Sequence, residues 1–397
     1  MKILVINAGS SSLKYQLIDM EGEQVLGKGI CERIGQPMGS FTHKAHGQAW
    51  KSEVAMPDHT AAFAQVKKAL TEGEGKVIHD LSEVSAIGHR VVQGGSKYDH
   101  SVVITDEVLA DIDSLKALAP LHNPAALQGI AAATATFGKT ITQVAVFDTA
   151  FHQTMEQKVF MFGLPYEYYE KYGVRRYGFH GTSHRYVSAR CCELLGRTEG
   201  TRIITCHLGS GSSIAAIKDG KVVDTTMGMT PLDGFMMGTR SGGFDPSVVT
   251  FLMEKEGLTP AQMNEIMNKK SGTLGISGQY SDDRDIEAAI ARGDQRAALA
   301  WDMRTYQVLK YVGAYIAVLG GLDALVFTAG IGENQPRVRQ EIIDALGFLG
   351  MKCNTKANEV HGKETLITTA DSAIPAWVIP TDEEMVIARD TAALTNG

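Results

Sequence analysis

Strand-like apolar segments alternate with polar, small-residue turns at the start of the chain. Residues 2–6 (KILVI) and 13–19 (LKYQLID) read as strands, separated by the small-residue run NAGSSS at 7–12 and followed by a polar turn at Glu21 and Gly22. The same arrangement returns after 200 residues. Residues 202–206 form a second strand pattern, 207–213 a Gly/Ser-rich turn and 214–218 a further strand, with Asp219-Gly220 as the closing turn dipeptide. At that offset Gly9, Ser10, Ser12 and Asp19 fall on Gly209, Ser210, Ser212 and Asp219 without a gap. A duplicated hairpin whose turn brings backbone N–H groups close to phosphate accounts for the spacing and the loop chemistry together. Elsewhere along the chain, helical periodicity or composition predicts helices over residues 60–70, 106–118, 183–195, 245–256 and 297–319. Short apolar strands are predicted at 141–147, 324–328 and 376–379. The pattern is that of an α/β protein with mixed sheets, built as two similar halves facing a cleft, with the boundary near residues 148–151.

Length and composition agree with this. A chain of 397 residues, 44% hydrophobic and 21% charged, has room for two domains with real cores. The net charge of −7 gives no electrostatic reason to expect nucleic acid or an anionic membrane as partner, so a bound anion must be met by local positive charge. Five scattered cysteines without Cys-x-x-Cys spacing suggest neither a disulfide framework nor a zinc site, and fit a reducing cytoplasm. The N-terminus turns polar too early for an export signal. The longest apolar stretch, residues 312–327, is interrupted by Gly320, Gly321 and Asp323, which favours a core helix running into a buried strand over a membrane span.

Four small-residue turns could cradle phosphates: residues 7–12, 207–213, 241–243 and AGIGEN at 329–334, directly after an apolar strand. Each alone is commonplace; four together point to a nucleotide. The familiar loops are excluded. The segment ending Gly138-Lys139-Thr140 has Ala133 where a Walker A loop needs glycine, the run after Gly209 lacks the third Rossmann glycine, and the protein-kinase motifs do not occur together. Ionisable side chains stand in turn-rich contexts: Arg90 in HRVVQGG, Asp148 in VFDTAFH, His180 in YGFHGTSH, Arg240 in GTRSGG, and Glu383 with Glu384 after Pro380 and Thr381. His180 and His184 have the spacing of a metal pair, but Gly181 between them and the lack of a third ligand nearby argue against zinc.

These segments, INAGSSSLK (6–14), GHRVVQGG (88–95), FDTAFH (147–152), RRYGFHGTSH (175–184), HLGSGSS (207–213), GTRSGG (238–243), AGIGEN (329–334) and PTDEE (380–384), resemble the motifs of the acetate kinase family in their order. That family belongs to the acetate and sugar kinase, Hsp70 and actin superfamily. The resemblance covers essentially the whole chain. It implies a duplicated ribonuclease H-like (actin-like) core: one domain over 1–148 with a C-terminal helix 384–397 returning to it, a nucleotide-binding domain over 149–383, and an active site in the cleft between them. It implies reversible transfer of the γ-phosphoryl of ATP to acetate, giving acetyl phosphate and ADP, by direct in-line attack of the carboxylate. By the same resemblance Asn7 and Glu383 position Mg²⁺, with Mn²⁺ as a substitute, and Lys14 reaches the phosphates. Arg90 holds the carboxylate substrate, and Val92, Leu121, Phe179 and Pro231 line the acyl pocket. His207, Leu208, Gly209, Ser210 and Gly211, then Asp282, Asp283 and Arg284, then Gly330, Ile331, Gly332, Glu333 and Asn334 form the ATP site. Asp148, His180 and Arg240 act at the transferring group. Two departures stand out: Ser210 where the family often has Asn, and Asp382 where Asn is common. The resemblance further implies a cytoplasmic homodimer. A propionate or butyrate kinase, or more remotely a non-catalytic nucleotide-switched module, are the alternatives.

Overall fold

Alternation along the central strands places two apolar layers on opposite faces of each sheet, and helices cover both. The structure, a computed structural model, describes residues 1–396. It resolves into two compact units: Met1–Gln153 joined by the C-terminal stretch from Asp382, and Thr154–Thr381.

The first unit carries strands β1 (Lys2–Gly9), β2 (Ser12–Asp19), β3 (Gln24–Glu32), β4 (Gly39–Ala45), β5 (Gln48–Val54), β6 (Val84–Val91), β7 (Val102–Val103) and β8 (Thr142–Phe147). They form one sheet in the order β5-β4-β3-β2-β1-β6-β8-β7. β1, β6 and β8 run parallel, and β1, β2 and β3 antiparallel. Leu4 and Ile6 point into a core with Phe63 and Val66 of helix His59–Thr71 and Ala132 and Ala133 of helix Asn123–Phe137. Ile3 and Val5, one residue out of phase, meet Met385, Ile387 and Ala388 of helix Glu383–Asn396 on the other face. β6 lies so close to that helix that a Cβ at Gly88 would stand 2.4 Å from Thr391 Oγ1 and 2.6 Å from Ile387 Cγ2. The stretch that returns to the first unit starts at Asp382 and includes Glu383, close to the return at residue 384 that the resemblance implies.

The second unit repeats the plan. Strands β9 (Arg202–His207), β10 (Ser213–Lys218), β11 (Lys221–Thr225), β12 (Ala324–Thr328), β13 (Thr365–Leu366) and β14 (Ala376–Val378) order as β11-β10-β9-β12-β14-β13. Again an antiparallel trio (β11-β10-β9) abuts a parallel trio (β9-β12-β14). Ile204, Cys206, Leu325 and Phe327 face helix Gln295–Leu319, while Ile203, Ala324 and Val326 face helix Gly181–Leu195. The order β3-β2-β1-β6-β8 in one unit and β11-β10-β9-β12-β14 in the other is the same topology, a duplicated ribonuclease H-like core in an α/β chain. The two hairpins differ at their tips. In the first, Gly9 pairs with Ser12, leaving a two-residue turn; in the second, pairing stops at His207 and Ser213, and residues 208–212 open into a wider loop. That loop sits where the second unit gathers its candidate phosphate-binding groups.

Candidate active site

In open sheets the residues that bind ligands collect beyond the carboxyl ends of parallel strands. In the first unit Asn7 lies near that end of β1 and pairs directly with Lys14 of β2, so the two side chains share a face. It is the face of Ile3 and Val5, covered by helix Glu383–Asn396. Arg90, two residues after Gly88 on β6, emerges on the same side, and Asp148 follows the last residue of β8. Arg90 Nε donates to Asp148 Oδ1 at 3.0 Å and Nη2 to Oδ2 at 2.6 Å, a two-pronged grip that fixes the guanidinium plane. Asp148 is 1% exposed and Arg90 24%, so the carboxylate is the buried anchor and the guanidinium the presented group. Burial alone would lower the Arg90 pKa; the charge and hydrogen bonds of Asp148, then the charges of Glu383 and Glu384, outweigh it and hold the pKa above its ordinary value. His89 points to the opposite face, fully buried, its Nε2 2.8 Å from Gln143 Oε1, and burial draws its pKa down to about 4. Val92 is buried and Leu121 strongly exposed.

In the second unit His180 stands with φ +56°, an uncommon conformation for a residue with a side chain, as the residue before helix Gly181–Leu195. Its ring stacks on His207, centroids 4.0 Å apart and 15° from parallel. Arg240 leaves an irregular segment whose Nη1 donates to Pro231 O at 3.3 Å. Burial depresses the Arg240 pKa, and no acidic group among the described residues offsets it. His180 Nε2 and Arg240 Nη1 each lie 3.4 Å from the point a Cβ on Gly211 would occupy. A glycine therefore keeps open the space between an imidazole edge and a desolvated guanidinium without a counter-charge, which is the electrostatic signature of an anion site. Phe179, by contrast, is buried, and Pro231 is partly so.

The two wide turns of this unit are joined through their backbones. Leu208 N donates to Thr328 O at 3.0 Å, and Ile331 N and Gly332 N donate to Leu208 O at 2.7 and 3.0 Å. Ala329 takes φ +65°, and Glu333 turns inward, accepting from Ala329 N at 2.8 Å and Thr381 N at 3.1 Å. Beside them opens a cavity of about 1180 Å³, large enough for a nucleotide, lined by Gly209, Ser210, Asp282, Asp283, Arg284, Gly330, Ile331 and Asn334. His207, Leu208, Gly211, Gly332 and Glu333 do not line it: they shape the turns behind it. Asp283 lines the cavity with its carboxylate held by Arg304, whose Nη2 donates to Oδ2 at 2.8 Å and Nη1 to Oδ1 in a buried pair.

Several lining residues, among them Arg304, Arg337, Gln340, Glu341, Glu359 and His361, escaped the sequence reading. For Arg304 a signal existed. It sits on the apolar stripe Ala297, Ala300, Trp301, Val308, Val312, Tyr315 and Leu319 of its helix, a position where a charge needs a buried partner. His184 cannot serve a metal, since its Nδ1 meets Thr205 Oγ1 at 2.7 Å and its Nε2 meets Ser213 Oγ at 2.7 Å. No cluster of three His, Cys, Asp or Glu side chains suited to a metal occurs among the described residues. Asn7 and Glu383 offer oxygen donors only, the set a hard ion such as Mg²⁺ accepts when water and phosphate complete its shell.

The model of the Acetokinase family matches residues 2–389. A relative named acetate kinase from Caldanaerobacter subterraneus subsp. tengcongensis is 54% identical over 400 residues, covering the whole of both chains. The crystal structure of Porphyromonas gingivalis acetate kinase superposes with a TM-score of 0.95 at 50% identity, covering 99% of each chain. That of a propionate kinase from Francisella tularensis superposes with a TM-score of 0.92 at 41% identity, again covering 99% of each.

Proposed function

This chain belongs to the acetokinase family, and from that premise we propose that it transfers the γ-phosphoryl group of ATP to the carboxylate of acetate, reversibly, giving acetyl phosphate and ADP. The observation that carries the reading is the half-buried Arg240 guanidinium set beside His180 across the Gly211 gap.

Acetate is ionised near neutral pH and needs no strong base to become a nucleophile. The obstacle is repulsion between two anions, and the transition state spreads negative charge over three equatorial phosphoryl oxygens. Fixed positive charge and hydrogen-bond donors are therefore the catalytic resource. In this reading Arg240 and His180 meet the transferring phosphoryl group. Arg90 binds the acetate carboxylate with its plane set by Asp148, which acts by orienting the guanidinium. Val92, Leu121, Phe179 and Pro231 bound the methyl group. Lys14 and the turns at residues 207–211 and 330–334 receive the phosphates, and the cavity beside Ser210, Asp282 and Arg284 receives the nucleoside. Asn7 and Glu383 would hold Mg²⁺, which supplies charge neutralisation to the phosphates when bound. The same reading, on the family resemblance, makes the protein a cytoplasmic homodimer. No helix among the described residues is long and apolar enough to cross a membrane.

A hydroxamate trap for acyl phosphate, run with ATP, Mg²⁺ and a series of short carboxylic acids, tests the reading. Acetate is expected to give the highest kcat/KM. Propionate should follow within the range of about 1 to 3 kcal/mol that one methylene commands in an apolar pocket. The resemblance to a propionate kinase makes the order of these two acids the informative outcome: propionate ahead of acetate would reassign the substrate, and no trapped product with any acid would refute phosphotransfer.

A further inference from the structure

Behind the Gly211 gap, helix Gly181–Leu195 packs on β9 and β12 through Val187, Cys191, Ile203, Ala324 and Val326, and this apolar seam ends in a polar corner. Ser213, His184 and Thr205 are each fully buried there. His180 Nδ1 lies 2.9 Å from Ser213 Oγ, the same oxygen lies 2.7 Å from His184 Nε2, and His184 Nδ1 lies 2.7 Å from Thr205 Oγ1. Three dry polar side chains in an apolar seam cost stability unless their hydrogen bonds are complete.

One hydroxyl proton stands between two imidazoles, so the direction of the chain decides the tautomer of both. Run from Thr205 outward, Thr205 donates to His184 Nδ1, His184 Nε2–H donates to Ser213, and Ser213 donates to His180 Nδ1. Both rings are then neutral, and His180 carries its proton on Nε2, the atom 3.4 Å from the Gly211 Cβ position and facing the same point as Arg240 Nη1. Run inward, Nδ1–H of His180 donates to Ser213 and a bare nitrogen lone pair faces the gap. A phosphoryl oxygen only accepts hydrogen bonds, so of the two neutral arrangements the outward one serves it.

We propose that Ser213, backed by His184 and Thr205, is a positioning residue that holds His180 as the neutral Nε2–H tautomer, aimed at the phosphoryl group. The proposal rests on the phosphotransfer reading and specifies how His180 contributes to it: as a fixed neutral donor beside the Arg240 charge.

The test uses the full-length protein labelled with ¹⁵N-histidine, with the His180 signals identified by their loss in His180→Gln. With both ring forms neutral, at about pH 8.5, the wild type is expected to show a protonated Nε2 and an unprotonated Nδ1 at His180, and Ser213→Ala a mixture of tautomers. Turnover of Ser213→Ala is expected to fall about 10- to 100-fold, with KM for acetate and ATP changed by less than about threefold, as for loss of a residue that orients a catalytic side chain. Ser213→Thr, which keeps the hydroxyl, should recover most of the loss. Protonated Nδ1 in the wild type, or Ser213→Ala turning over within about twofold of wild type, would overturn the proposal. If Ser213→Ala does not fold, the wild-type spectrum decides by itself. A wild type that forms no acyl phosphate refutes phosphotransfer instead, and the spectrum still reports the tautomer.

Discussion

Arg240 and Arg90 are both arginines in glycine-rich segments, yet their surroundings separate them. Arg90 is gripped by a buried carboxylate, so its orientation is set before any ligand arrives. Arg240 Nη1 donates to the Pro231 carbonyl and meets the Met237 thioether, and its charge is left for an incoming anion. Arg240→Ala is therefore expected to lower kcat by about 10²–10³, on the order of 3 to 4 kcal/mol, while leaving the unfolding midpoint nearly unchanged because no buried charge is stranded. Asp148→Asn should act differently: with its second prong lost, Arg90 turns, and kcat/KM for acetate falls more than that for ATP. A steady-state comparison of the two substrates checks this, and equal losses would refute orientation as the task of Asp148. Gly211→Ala should place a methyl between His180 and Arg240 and abolish activity in a protein whose circular dichroism is that of the wild type. The motif glycine was legible from sequence as a phosphate-loop residue. That it keeps a gap between two side chains from other segments was not, because neither neighbour lies near it along the chain.

At the scale of elements, strands were read more fully than helices. β12 has the predicted bounds, and β1, β2, β9 and β10 differ from theirs by one to three residues, since each is a short apolar-rich segment bounded by a turn of small or polar residues. Helices Asn123–Phe137 and Pro336–Ala345 went unrecognised. The first is rich in alanine with little contrast between its faces, and the second has a polar, charged sequence whose apolar stripe is only Val338, Ile342 and Ile343. The second also carries Arg339, whose guanidinium is 0% exposed and donates to Gly332 O, Asn358 Oδ1, Asn358 O and Val360 O. Burial lowers its pKa to about 10. It ties the AGIGEN turn to the segment at residues 358–360, so Arg339→Lys, with three donors on a point charge, should cost roughly 3 kcal/mol in urea unfolding and raise KM for ATP more than for acetate. Gly88→Ala would disturb the contact between β6 and the C-terminal helix. Pressing a methyl into helix Glu383–Asn396 should destabilise by about 1 to 3 kcal/mol, measured by the same unfolding experiment, through displacement of the element that carries Glu383.

For the whole molecule, the buried histidines set a pH dependence of stability. Burial holds the His89 pKa at about 4, below its ordinary value near 6.5, and also lowers that of His43. Between those limits the unfolded chain binds protons that the folded chain refuses, so stability is full above about pH 6.5 and declines as the pH falls toward 4. For His89 the loss is on the order of 3 kcal/mol by pH 4. Unfolding midpoints taken from pH 8 to pH 4 should fall steadily, and His89→Gln, which stays neutral, should flatten part of that fall. The sequence alone determined the α/β class, the duplicated hairpin, the motif residues and through them the family. All of these rest on short-range periodicity and on local loop chemistry. Tertiary structure decided the rest: the wider tip of the second hairpin, the inward turn of Glu333, the Asp283–Arg304 pair, and the His180–Ser213–His184–Thr205 chain. Each of these joins residues distant in sequence, and which partner a buried polar group finds is settled by packing, which no local pattern records.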